Sequence, residues 1–399
     1  MQLLRTRDEL VQLATVAPFL QALEEDPATR GHVGQMVGTA FPRRRVDSVL
    51  LVEFLVDLID ETRSFDFDES TFQWVASRLL SFLATREIQD RHIVQLVGVI
   101  GPDAAVELGD GATLRPLEDE EAGRLLAYGL IPDGLGLPST MSPIDRLVRR
   151  PLQHSVAATS SLLKVIGEQP PEHHPPPDTR ARTSAERLVT AIRIQHGGAV
   201  ALGPSIHIPG GWRPLAWRGG MFGYGEPMPQ DQPVTLTKDG WNLLRPLYEA
   251  LSHPSVGNRL EIPLRRLRQA CLRTHPEDRL VDLMIAAEAL FLSGELNESR
   301  FKLAVRSSSS TGVAGHSSSA VFEFMKKAYR FRSKVVHGEH PKGLIRLGGE
   351  STNDLKDVVA DLEIILRSAL AWAVQALASG HKIDDWDAPR RPVRPCAEA

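Results

Sequence analysis

The chain has 399 residues, 42% of them hydrophobic and 24% charged, with a formal net charge of -4. That length and apolar content can bury a sizeable core in two or three globular units, which excludes a disordered protein. The slightly acidic balance excludes a general nucleic-acid coat, so any contact with a polyanion has to be local.

The only cysteines, Cys271 and Cys396, are too few for a disulfide scaffold or a cysteine zinc site and fit a reducing cytosol. The opening segment, MQLLRTRDELVQL, threads charges among its apolar residues and does not read as a secretory signal. The most apolar window, VLLVEFLVDLI at 49–59, is interrupted by Glu53 and Asp57 and is too short to span a bilayer. The expectation is a cytoplasmic protein with no membrane segment.

Residues 1–90 carry helical periodicity. Val49, Leu50, Phe54, Leu55 and Leu58 share one face, and Trp74, Leu79, Leu80 and Leu83 another. From His92 the pattern changes to HIVQLVGVIG and AAVELGDGATLRPL, two runs of β-type alternation with a hairpin signal at Gly109-Asp110-Gly111. Leu117 to Glu121 opens a short acidic helix. Residues 130–145 and the proline-rich linker 169–177, QPPEHHPPP, read as loops, because proline removes backbone donors. Between them, HSVAATSSLLKVIG fits strand or helix. The stretch 187–226, with RLVTAIRIQHGG and AVALGPSIHIPGG, reads mainly as β, so 91–240 is a mixed, β-rich region.

From Trp241 the pattern is helical, in segments near 260–273, 277–293, 298–306 joined loosely to 319–337, and 353–379. The last begins at Ser351, Thr352, Asn353 and Asp354, good N-cap material. It lines up Leu355, Val358, Val359, Leu362, Leu366 and Ala369, and stops at Ser379-Gly380. The serine-rich stretch 307–319 reads as a flexible loop and 381–399 as a disordered tail. The expected fold class is a multidomain α+β protein: a helical region at 1–90, a sensing or regulatory region at 91–240, a helical domain at 241–380 and the tail.

The chemistry concentrates in VFEFMKKAYRFRSKVVHGEH, 321–340. Val321, Met325, Ala328, Arg332 and Val335 form one stripe, so Arg332 stands where the pattern asks for an apolar residue. An arginine on an inner helix face needs a partner or a role, because an unpaired buried charge is costly. His337 follows five residues later, directly before Gly338, a helix stop.

These residues resemble the HEPN superfamily, whose signature is an Arg, four residues and a His near the end of the third bundle helix. The wording here, Tyr329, Arg332-Ser333 and Val336-His337-Gly338, is closest to the Apea-like branch. Upstream, RLVDLMIAAEALFL with Asp282 and Glu288 resembles the first core helix of that branch, and ELNESRFKLAVR its second. The resemblance covers about 258–380 and implies a four-helix all-α bundle. Where many active relatives carry Asn, Asp or His after the arginine, this chain has Ser333. Where some toxin relatives carry a modifiable tyrosine two residues after the histidine, it has Glu339.

The resemblance implies a metal-independent endoribonuclease with no cofactor. His337 takes the proton of a ribose 2′-hydroxyl, and Arg332 holds the phosphate and offsets its developing charge. Glu288, Ser333, Lys334 and Asp282 are the supporting residues it points to. At about 100° per residue, Arg332 and His337 lie roughly 140° apart around a regular helix. Either the helix unwinds near His337, or two copies pool their pairs in a homodimer with a composite site, as HEPN nucleases generally do. The same branch is associated with abortive antiphage defence, which implies an unknown phage-derived or cellular trigger and a sensing role for the first 250 residues. The alternative reading is a non-catalytic HEPN module that binds nucleotide or RNA, or only dimerises.

Other features have plainer readings. Lys326, Lys327, Arg330 and Lys334 form either a phosphate-attracting patch or a solvated face, and Arg265, Arg266, Arg268 and Arg273 read as a solvated face. His173-His174 among prolines reads as linker rather than metal site. Trp212, Trp217, Phe222 and Tyr224, interleaved with Arg213 and Arg218, read as β-domain core and rim rather than a base-stacking platform. No Gly-Lys-Ser/Thr ending marks a P-loop in the Gly-rich stretch 197–225.

Overall fold

The computed structural model describes residues 66–84, 87–101, 104–109, 111–116, 154–163, 165–166, 179–197, 200–208, 234–292, 299–310 and 316–383, with isolated positions between 21 and 64. The segments 117–121, 130–145, 169–177 and 384–399, and the aromatic stretch 212–224, lie outside the described residues. Within the described residues the chain is a mixed α+β protein, with helices and small sheets that are antiparallel except for one short parallel pair.

Two short strands, β1 (Met36–Gly38) and β2 (Arg44–Arg45), lie inside the stretch expected to be helical and pair with each other. Helix α1 (Glu69–Ala84) buries Val75 and Leu79, whereas Trp74 is 48% exposed. The buried stripe is therefore rotated from the one expected. Asp68 caps this helix by accepting from the Thr71 backbone N–H at 2.8 Å, and its hydrogen bonds to Ser70 and Thr71 hold its carboxyl below the usual range.

The main sheet is assembled from β3 (Glu87–Val97), β5 (Val106–Gly109), β6 (Ala112–Pro116), β7 (His154–Leu163) and β9 (Ala201–Ile208), with the short β4 (Val99–Ile100) following β3. The order is β5-β6-β7-β3-β9, antiparallel throughout. The β5–β6 hairpin turns where the sequence signals it, with Gly109 and Gly111 at φ of 90° and 72°, a region that glycine enters without a Cβ clash. The 154–163 segment, left open between strand and helix, is β7, paired with β3 from Glu87↔Leu163 to Leu96↔His154. Where β9 bulges against β3, Gly203 and Pro204 together oppose Gln95. A Cβ on Gly203 would sit 2.9 Å from the Gln95 Cβ, so the close approach requires glycine. A further short strand, β8 (Val165–Ile166), pairs with β1.

The expectation of strand around 187–196 is corrected by the structure: this stretch belongs to helix α2 (Arg180–His196), which packs across the sheet. Its β-branched residues, Val189, Thr190, Ile192 and Ile194, imitate strand composition. Its buried positions Ala181, Ala185, Leu188 and Ile192 instead recur at helical spacing, and packing on the sheet outweighs local propensity.

Five helices from 254 onward follow the expected segments, preceded by β10 (Val234–Thr235) and α3 (Lys238–Ala250). They are α4 (Pro254–Leu272), α5 (Pro276–Phe291), α6 (Ser299–Ser310), α7 (Ser318–Val336) and α8 (Leu355–Ala378). Helix α4 starts earlier than expected because Pro254 opens it and the His253 ring accepts from the Ser255 N–H at 3.4 Å. The expected loop at 307–319 is corrected at its two ends, which belong to α6 up to Ser310 and to α7 from Ser318, and 311–315 lie outside the described residues. Ser307, Ser308 and Ser309 are helical, with hydroxyls donating to carbonyls three residues back, and Ser307 is fully buried. The hairpin β11 (Leu344–Ile345) and β12 (Ser351–Thr352) is fastened to α8 by Arg346 and Asp361.

One continuous core runs from Val94, Leu96 and Leu114 of the sheet through Leu188 and Ile192 of α2 to Leu267, Leu283 and Leu362 of the bundle. Polar contacts reinforce the junction. Arg193, 1% exposed, donates twice to the Val200 carbonyl, and Arg367 of α8 donates to the Ile194 and Gln195 carbonyls at the end of α2. Buried Cys271 has its thiol pushed up to about 12 by burial and then by Glu363, so it is held protonated. Among the described residues no helix is long and apolar enough to cross a membrane.

Candidate active site

Helix α7 starts where the Ser317 hydroxyl accepts from the Ala320 N–H at 3.2 Å. Val321, Phe324, Met325, Ala328 and Phe331 bury one face of it. Arg332 continues that stripe toward the C-terminal end, with its side chain 27% exposed and Nη2 facing Glu288 Oε2 at 4.0 Å. That separation is an ion pair without a hydrogen bond. Arg332 Nε and Glu288 Oε1 are both buried with no hydrogen-bond partner, and Glu288 Oε1 is the one such carboxylate oxygen among the described residues. Burial pushes the Glu288 carboxyl above its usual value, and Arg332 partly offsets the rise.

The helix stays regular through Val336. His337 is its C-cap, with φ of −87° and ψ of 8° and its backbone N–H bonded to the Ser333 and Lys334 carbonyls. Gly338 at φ 76° reverses the chain, with its N–H on the Val335 carbonyl and the Glu339 N–H on that of Lys334. The helix therefore does not unwind before His337. Within one chain the two side chains keep the angular separation of a regular helix: Arg332 lies half-buried against α5, and His337 is exposed at the tip. Ser333 and Lys334 are half-buried beside them.

The supporting residues divide. Glu288 meets Arg332. Asp282, 4% exposed, instead accepts from Arg266 at 2.8 Å and from Arg273 at 3.1 Å, closing the α4–α5 pair. The arginine cluster on α4 is thus partly an ion-pair network, with Arg265 on Glu261 at 3.3 Å. On α7, Lys326 lies 3.7 Å from Glu323 and over the Phe322 ring.

Sequence reasoning missed two buried arginines, Arg193 on the Val200 carbonyl and Arg306, 5% exposed, which donates to the Phe291 carbonyl at 2.8 Å, and the half-buried Arg279, which binds Glu363 at 2.8 Å. The one signal for them was a charge inside an apolar helical stripe, the signal that singled out Arg332. Among the described residues no group of three or more His, Cys, Asp or Glu is arranged to hold a metal ion. No protein family, curated protein or solved structure matches the chain.

Proposed function

We propose that the 241–380 region is a HEPN domain and that the protein is a metal-independent endoribonuclease with Arg332 and His337 as its catalytic pair. What supports the reading is the loose Arg332–Glu288 pair: an arginine held half-buried at 4.0 Å from its carboxylate keeps donors for an incoming anion, one turn from an exposed histidine. His337 removes the proton from a ribose 2′-hydroxyl, and the 2′-oxygen attacks the adjacent phosphorus. The 5′-oxygen of the next nucleotide leaves with a proton, giving a 2′,3′-cyclic phosphate and a free 5′-hydroxyl. Arg332 offsets the charge that builds on the phosphate oxygens, and the need for a 2′-hydroxyl restricts the substrate to RNA.

Because the pair diverges around a regular helix, one chain does not aim both groups at one phosphate. Two copies are needed, with the α7 tips facing across a shared cleft. Exposed Val336, 54% accessible beside His337, is an apolar contact available to such a dimer. We assign the enzyme to the cytoplasm and to antiphage abortive infection, with the region before the bundle as the sensing part and the continuous core as its mechanical link. The second reading is a non-catalytic HEPN module that binds nucleotide or RNA, or only dimerises; a buried Arg332 closed onto Glu288 by hydrogen bonds would favour it, and a half-buried pair at 4.0 Å is not that.

The test is cleavage of labelled total RNA in EDTA by the wild type, Arg332→Ala and His337→Ala. An EDTA-resistant activity lost in both variants supports the nuclease. No cleavage by any of the three, with infected-cell extract added as trigger, selects the binding module.

A further inference from the structure

The outer face of α7 uses charge differently from those of α2, α3 and α4. On these three helices Arg182 and Glu186, Arg245 and Glu249, and Glu261 and Arg265 stand four residues apart and pair at 3.0, 2.8 and 3.3 Å. On α7 the same spacing joins like charges, Lys326 to Arg330 and Arg330 to Lys334. From Phe324 to Gly338 the chain carries five lysines and arginines, His337 and no carboxylate. Like charges four residues apart destabilise a helix. The helix dipole favours a cation in the last turn, which accounts for Lys334 but not for Lys326 or Arg330.

Neighbouring acids do not relieve this row. Glu323 lies 3.7 Å from Lys326, which also sits over the Phe322 ring. Among the described residues, Lys327, Arg330 and Lys334 form no ion pair within 4.0 Å, and neither does Glu339 past the Gly338 turn. Helix α6, packed along α7, reads SRFKLAVRSSSS and brings no carboxylate. Arg330 is exposed, and Lys327 and Lys334 are half-buried. At about 100° per residue these three lie within about 80° of His337 around the helix and at least about 140° from Arg332. Lys327 to His337 spans about 15 Å of helix, and Arg330 to Lys334 about 6 Å, the order of the separation between neighbouring phosphates on a strand. Val336 is the one exposed large apolar side chain on α7, too little for insertion into a lipid surface.

We infer that the outer face of α7 is a track for the backbone of an RNA strand, on which Lys327, Arg330 and Lys334 hold successive phosphates and lead the strand to His337 of the same chain. The RNA assignment rests on the ribonuclease reading, but the affinity of the row for a phosphodiester chain does not. The row shares the face of His337 and not that of Arg332, so the arginine that meets the delivered phosphate comes from the second copy in the composite site. Phosphate contacts read neither base nor 2′-hydroxyl, so the track takes a DNA strand as readily as RNA, and only RNA is cut.

Binding of a labelled single-stranded RNA, and of a DNA strand of the same length, is followed by fluorescence anisotropy across a salt series. The full chain carries His337→Ala to prevent cleavage, alone or combined with Lys327→Glu, Arg330→Glu or Arg182→Glu. Arg182→Glu changes the net charge equally on α2, outside the row. Arg330→Glu turns two like-charge neighbours into attractive ones, so its urea midpoint is expected to match or exceed that of the parent. Lys327→Glu and Arg330→Glu are each expected to weaken both strands about tenfold and to flatten the slope of log affinity against log salt by about 0.7, one phosphate contact. Arg182→Glu is expected to move neither. With His337 intact, Arg330→Glu is expected to raise KM for RNA. Equal weakening by Arg182→Glu, no binding by the parent, or binding of RNA without DNA overturns the track. Weaker strand binding in the α7 variants, with no RNA cut by the wild type, keeps the track and removes the ribonuclease reading. RNA cut by the wild type, with a KM unmoved by Arg330→Glu, keeps the ribonuclease and overturns the track as its substrate path.

Discussion

The bundle holds two kinds of arginine–carboxylate pair. Where a pair closes the fold, the carboxylate is buried and the contacts are short. Asp361 accepts Arg346 at 2.6 and 2.9 Å and the Leu347 N–H at 2.8 Å, Asp282 takes Arg266 and Arg273, and Glu363 takes Arg279 at 2.8 Å. At the tip of α7, Arg332 and Glu288 stand 4.0 Å apart, each with a buried polar atom that has no hydrogen-bond partner. A buried charge is tolerated when geometry is good enough to replace its hydration, and the first group meets that condition at its carboxylates, although Arg266 Nε and Arg279 Nε are also buried without a hydrogen-bond partner. The second does not, and it marks a place where local stability yields to an available donor.

The largest expected effect follows directly. If the loose pair serves chemistry, His337→Ala lowers the RNA cleavage rate by about 10²–10⁴-fold and Arg332→Ala by about 10²–10³-fold, read from initial rates at saturating RNA. Urea midpoints should stay close to wild type for His337→Ala, because the ring is exposed.

Stability gives the reverse contrast. Asp361→Ala leaves the Leu347 N–H without its buried acceptor and removes a bidentate partner of Arg346, and should cost about 1–3 kcal/mol in urea unfolding. Arg332→Met, which keeps the bulk and drops a 4.0 Å pair, should cost less than about 1 kcal/mol. Equal losses at the two sites would erase the distinction between a structural and an available arginine.

A smaller effect concerns pH. The Glu288 carboxyl titrates above its usual value because it is buried, with Arg332 pulling it back. With the folded value raised, the group's stabilising contribution is present at acid pH, below its unfolded value. It is lost as pH rises through the folded value. Removing the opposing cation in Arg332→Ala should raise the Glu288 value further and enlarge that loss, measurable by carbon NMR of the carboxyl and by urea midpoints across the acid range. A Glu288 value that falls in this variant would show that Arg332 does not act on it.

The helical part of the protein was legible because its signals are local. Apolar stripes with a cap at Asp354 and stops at Gly338 and Gly380 located α7 and α8 within a few residues, whereas the Ser317 cap of α7 lay in a stretch read as loop. Arg332 and His337 were legible for the same reason, one as a charge out of pattern and the other as a residue before a glycine stop. The strand β7 and helix α2 were not, because Ser, Thr and Ala-rich or β-branched stretches carry no decisive period, and the neighbour on which they pack selects the form.

The sequence by itself determined where α7 and α8 stop, where α8 begins, and that one arginine and one histidine share the tip of α7. Each of those features depends on residues within a turn or two of one another. Only the tertiary structure decided which carboxylate meets Arg332, that Asp282 instead joins α4 to α5, and that Arg367 grips the end of α2 from 173 residues away. Those facts follow from which surfaces the common core brings together, and a charge's role depends on the partner it meets there.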